Sequence, residues 1–109
     1  MAKIILRNSF LLTYKATTEY SYNNFGLLCV NRFDEAFRQI INRLSKHPLS
    51  SPREPLLRNY PRSYRSAIIM GNWKIIYRYD ETYNRVIFVD LWDMRMNPNR
   101  LVKQFKKKL

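Results

Sequence analysis

Between residues 65 and 92 the apolar positions fall into three short runs rich in β-branched and aromatic residues: Arg65–Met70, Trp73–Tyr79 and Arg85–Trp92. Gly71-Asn72 separates the first two and Asp80–Asn84 the last two, and both gaps have turn composition. The pattern predicts a three-stranded antiparallel meander. A two-residue Gly71-Asn72 turn, with glycine supplying a positive φ, would set Met70 opposite Trp73, Ile69 opposite Lys74, Ala67 opposite Ile76 and Arg65 opposite Arg78. Alternation then gives one mostly apolar face (Ile68, Met70, Trp73, Ile75, Tyr77) and one face carrying Arg65, Lys74 and Arg78. Two opposed arginines repel, so the second face reads either as an anion site or as an ordinary solvated sheet surface.

Upstream, Lys3–Leu6 reads as a strand. Asn8 or Ser9 can cap a helix over Phe10 to about Asn24, and Asn23-Asn24-Phe25-Gly26 is a helix stop. Leu27 to about Lys46 is the clearest helix, because Val30, Phe33, Phe37, Ile40 and Leu44 form one apolar stripe while Arg32, Arg38, Gln39 and Arg43 lie off it. So short a gap predicts a helix hairpin. Residues 47–61 contain four prolines and read as a loop long enough to suggest a function. Downstream, Asn97-Pro98 suits a helix start. Leu101, Val102 and Phe105 would dock a short basic helix with Lys103 and Lys106 to Lys108 outside. The expected architecture is α+β: an N-terminal strand and helix hairpin packed on the meander, then a short C-terminal basic helix. The 109 residues suit one domain, 1–109.

Charge changes the picture more than length does. Twenty Lys+Arg against eight Asp+Glu give a formal charge of +12. Such a field draws polyanions: nucleic acid, an acidic membrane surface or an acidic protein partner. Hydrophobic residues at 46% allow a packed core, and two glycines argue against phosphate-binding glycine loops. The single cysteine, Cys29, excludes an intrachain disulfide, favours a reducing compartment, and reads as a small buried hydrophobe. No run reaches membrane-spanning length, and Arg7 and Asn8 interrupt the only leader-like stretch.

Candidate chemistry is narrow. One histidine and one cysteine do not suggest a metal site, and no cofactor is expected. His47, beside Pro48 at a helix end, reads as a cap. Asp90 and Asp93 read as structural carboxylates. Cations and aromatics remain: Arg65, Lys74, Arg78, Arg95 and Arg100, with Tyr64, Trp73, Tyr77, Tyr79 and Trp92. Such a set can cleave RNA without metal, the 2′-hydroxyl attacking its phosphate while Arg and Lys stabilise the phosphorane and aromatics hold a splayed base. The same aromatics would equally serve as core.

The runs Tyr64-Arg65, Gly71–Tyr79, Val86-Ile87-Phe88 and Leu91–Pro98, together with Phe25-Gly26, Phe33, Leu44 and His47-Pro48, resemble the RelE/ParE family of bacterial type II toxins. The resemblance implies a cytoplasmic bacterial toxin that blocks growth until its cognate antitoxin binds it, often as part of a plasmid-stabilisation system. RelE-like members cut mRNA in the ribosomal A site, and ParE-like members inhibit DNA gyrase. Carried over by position, a nuclease would use Arg65, Lys74 and Arg95 as catalytic groups, with Arg78, Arg100 and Lys103 binding the target. Lys74 stands where many relatives have arginine, and residues 95–109 hold no tyrosine. Both departures, with the long helix hairpin, lean toward a ParE-like or other non-nuclease action. A RelE-like endoribonuclease and a non-toxic basic nucleic-acid-binding module remain the alternatives. The antitoxin is expected to lay an acidic amphipathic segment on the basic sheet face or on the hairpin, in a salt-sensitive association.

Overall fold

In the computed structural model, which describes residues 1–108, the meander forms as β2 (Tyr64–Ile69), β3 (Trp73–Asp80) and β4 (Arg85–Asp93). A fourth strand, β1 (Lys3–Leu6), adds to β4 in parallel, giving the sheet order β1-β4-β3-β2. A parallel neighbour needs a long crossover. The chain between β1 and β4, which opens with the helix hairpin and continues through β2 and β3, supplies it.

The β2–β3 register differs from the expected one by a single residue. Ile69 faces Trp73, Ile68 faces Lys74, Ala67 faces Ile75, Arg65 faces Tyr77 and Tyr64 faces Arg78. The connection has three residues, Met70 to Asn72, with positive φ at Met70 (54°) and Gly71 (75°). The Asn72 carbonyl accepts from the Met94 amide at the end of β4 (2.8 Å), which ties Asn72 to the neighbouring connection. Because side chains alternate with period two, this slip turns all of β2 over. Trp73, Ile75 and Tyr77 sit on the helix side as expected, and Ala67 and Ile69 join them. Ile68 and Met70 are exposed instead of packed there. Arg65 moves to the helix side, away from Lys74 and Arg78.

Helices α1 (Asn8–Phe25) and α2 (Leu27–Lys46) form the hairpin. Gly26, at φ 84°, makes the break between them. The α2 stripe enters the core as its spacing predicts: Phe33, Ile40 and Leu44 are buried, with Phe37 packed alongside. Phe88 receives Phe10 and Phe37 at ring-centre distances of 5.4 and 5.9 Å. The expected α1 cap is corrected. Arg7 occupies the cap position without a side-chain bond, and Ser9, inside the first turn, donates from Oγ to the Val89 carbonyl (2.6 Å). The reason lies in the sheet. A bulge between Ile76 and Tyr77 leaves Val89 without a partner on β3, and a bulged residue's backbone must find another partner. Cys29 is only half-buried, since it lies at the hairpin tip beside exposed Leu27 and Leu28.

The opposite sheet face carries a second core. Helix α3 (Pro98–Lys107) docks there through Leu101 and Phe105. Phe105 meets Tyr60, Tyr64 and Trp92 edge-on at 5.7, 5.1 and 5.9 Å. Asn97 caps α3 as the sequence predicts, its Oδ1 accepting from the Asn99 amide (2.9 Å). Asn97→Ala should cost about 1 kcal/mol in urea unfolding, the usual worth of such a cap. An unchanged midpoint would show that the cap contributes nothing. Lys108 is exposed as expected, yet it has a partner beneath it. Its Nζ reaches the buried Asp90 carboxylate at 2.8 Å, which also takes the Trp92 indole N–H (3.0 Å).

Candidate functional site

The three cations matched to a nuclease site are built into three different places. Arg65 lies on the helix side of β2, opposite Tyr77. Its Nη1 donates to the Ser51 carbonyl (2.7 Å), and the Tyr77 hydroxyl donates to the Pro48 carbonyl (2.8 Å). The pair pins residues 48–51 to the sheet. Burial pushes the Tyr77 phenol above its ordinary pKa, so it holds its proton as a donor.

Lys74 occupies the other face. Its Nζ lies 2.6 Å from Glu54 Oε1. Glu54 is 1% exposed and caps a short 3-10 turn, Pro55–Leu57, by accepting from the Leu56 amide (3.1 Å). The long proline-containing loop therefore has a structural job, closing the β2 edge. The Glu54 amide donates to the Tyr64 carbonyl and the Ser66 amide to the Pro52 carbonyl. Between this loop and β2 runs an open cleft lined by Arg43, Ser51, Arg53, Ser66 and Lys74, among others. Two of its cations already have partners: Arg43 holds the Ser50 and Ser51 hydroxyls, and Lys74 holds Glu54.

Arg95 sits beyond the end of β4. It makes a two-pronged pair with Asp93 (Nε–Oδ1 2.9 Å, Nη2–Oδ2 3.0 Å) and lies over the Trp73 ring, 5.7 Å from its centre. The Arg95 side chain holds the Asp93 carboxyl below the usual carboxylate range. Trp73 and Arg65 are four strand positions apart in the β2–β3 ladder, roughly 13 Å at 3.3 Å per residue. Arg65 and Arg95 thus lie on the helix side at opposite ends of the sheet, and Lys74 lies at the Arg95 end on the other face, so the three do not converge on one point. Of the candidate aromatics, Tyr64, Tyr77 and Trp92 are buried core.

Arg78 is different. It is half-buried on the α3 side, and its guanidinium pKa is lowered by burial and then by Arg62 and Arg7 nearby. Arg100 and Lys103 are exposed on α3. Sequence reasoning missed Glu54, whose signal was an acid just before Pro55 at a helix-start position. It also missed Arg7 and Arg62, which nothing in the linear pattern connects to Arg78.

Residues 4–98 match the family described as ParE toxin of type II toxin-antitoxin system, parDE. No curated protein matches the chain.

Proposed function

The chain belongs to the ParE toxin family of type II toxin–antitoxin systems, and from that premise we propose that it arrests growth by a ParE-like, gyrase-directed action and does not cut mRNA. Membership makes it a toxin component and gives it an antitoxin as partner. The observation that carries the choice of target is the separate use of Arg65, Lys74 and Arg95. Metal-free transfer at a phosphodiester needs cations preorganised around one phosphorane. Here one cation staples a loop, one neutralises the buried Glu54 (2.6 Å) and one is forked onto Asp93 (2.9 Å). Large exposed hydrophobics gather instead on the hairpin, at Leu12, Tyr22, Phe25, Leu27 and Leu28. That surface suits the protein contacts of such a toxin, its antitoxin among them.

The test is direct. Purified toxin is added to gyrase with relaxed plasmid, and separately to translating ribosomes loaded with a defined transcript. Supercoiling should stop at toxin concentrations that leave the transcript intact, and antitoxin should restore it. Transcript cleavage in the A site with supercoiling untouched would overturn the reading in favour of a RelE-like nuclease.

A further inference from the structure

We infer that Arg7, Arg62 and Arg78 form a phosphate-binding site for nucleic-acid backbone, extended by the outer side of α3. This inference is independent of the choice between gyrase and ribosome. On the sheet face away from the hairpin, Ile5, Ile87, Arg78 and Tyr64 form one row across all four strands. Arg7 follows Ile5 by two residues and Arg62 precedes Tyr64 by two; because β1 and β2 run parallel, the two flank Arg78 on opposite sides of this row. Both are exposed, and both are close enough to depress the Arg78 pKa, after the larger effect of burial. Arg62 and Arg78 line one open cleft with Ser63, Tyr79, Asp80 and Glu81.

The carboxylates around the sheet are mostly paired with other cations; in this cleft Asp80 is held by Arg85 and Glu81 is exposed at the rim. Glu54 takes Lys74, Asp80 takes Arg85, Asp90 takes Lys108 and Asp93 takes Arg95. Among the described residues no ion pair includes Arg7, Arg62 or Arg78. Arg78 is thus repelled from two sides, by Arg62 and by Arg7, and anions seated along this diagonal relieve the repulsion. The planar donor forks of the guanidinium groups match phosphate oxygens.

The surroundings favour a phosphodiester chain over an acidic protein segment. Phe105 packs on Tyr60 and Tyr64, which sets the last turns of α3 beside Arg62 and Arg78. Helix α3 exposes Arg100, Lys103, Lys106 and Lys107 and contains no acid. No large exposed hydrophobic falls on α3 or between residues 57 and 67. Protein interfaces are anchored by buried apolar and aromatic groups. Backbone recognition of nucleic acid needs charge and little else.

The full chain is titrated against fluorescein-labelled duplex DNA of about 20 base pairs and single-stranded RNA of equal length, by anisotropy from about 50 to 200 mM salt. The R7Q/R62Q variant changes two exposed side chains and should keep its fold. It should weaken binding at least about tenfold near physiological salt and reduce the salt slope by about 2, one per lost phosphate contact. The K15Q/R32Q variant removes equal charge from the hairpin and should change binding less than about twofold. Binding of either polymer with this dependence supports the site, and the tighter one names its ligand. Equal weakening by the two variants would reduce the effect to net charge and overturn the site. Displacement by a glutamate-rich peptide of equal charge, at concentrations comparable to those of competing DNA, would also overturn it, by assigning the surface to an acidic protein.

Discussion

Lys74→Ala is expected to destabilise the fold by about 2–4 kcal/mol. Removing one partner of a buried pair leaves an uncompensated charge, which costs about 3–5 kcal/mol when burial is complete. The lower end of the range applies because the Lys74 side chain is 21% exposed, so some water reaches the site. The sequence suggests a surface lysine whose loss would cost less than about 1 kcal/mol. Glu54 is what changes that expectation: its side chain is fully buried, and among the described residues its carboxylate has Nζ of Lys74 and the Leu56 amide as its partners. Urea unfolding checks the value. Adding Glu54→Gln should recover a large part of the loss, since the neutral amide keeps an oxygen for Leu56 and carries no charge to desolvate. The same double variant separates structure from catalysis. If it regains toxicity, Lys74 acts by supporting the loop. If it is stable yet inert, Lys74 touches the target.

Phe105→Ala should cost about 3–4 kcal/mol, as buried Phe truncations do. Phe105 has no exposed surface and holds α3 to Tyr60, Tyr64 and Trp92. A helix of ten residues has little stability of its own, so losing this anchor should release it. Trp92, 2% exposed in the intact fold, would then meet water. The expected result is a lower unfolding midpoint with a red shift of tryptophan emission before the main transition. A shift in midpoint equivalent to less than about 1 kcal/mol, with unchanged emission, would show that α3 does not depend on this contact.

The elements were legible because each is written locally. The α2 stripe at spacings of three and four, the glycine between the helices, the Asn97-Pro98 cap and the β-rich runs each rest on a few neighbouring residues. The aromatic candidates were ambiguous for a related reason: a tyrosine or tryptophan on a strand has the same spacing whether it meets a base or a core. Burial of Tyr64, Tyr77 and Trp92 resolves that choice. The candidate cations were legible as a group and not as a site. Arg65, Lys74 and Arg95 are plain in the sequence, but their acceptors are the Ser51 carbonyl, Glu54 and Asp93, of which only the last is close by in the chain.

The sequence by itself determined the order and kind of the elements, the helix hairpin, the three-run meander and the strongly basic charge, because helix and strand periods and cap chemistry act over a few residues. Tertiary structure alone decided the β2–β3 register. Two-residue and three-residue connections were both open to Met70-Gly71-Asn72, and the bond from the Met94 amide to the Asn72 carbonyl ties that turn to the end of β4. One residue of slip then put Arg65 on the helix side and left Arg78 with Arg7 and Arg62. Those three come from segments far apart in the chain. Only the parallel docking of β1 on β4 and the folding of the loop over the β2 edge place Arg7 and Arg62 on either side of Arg78.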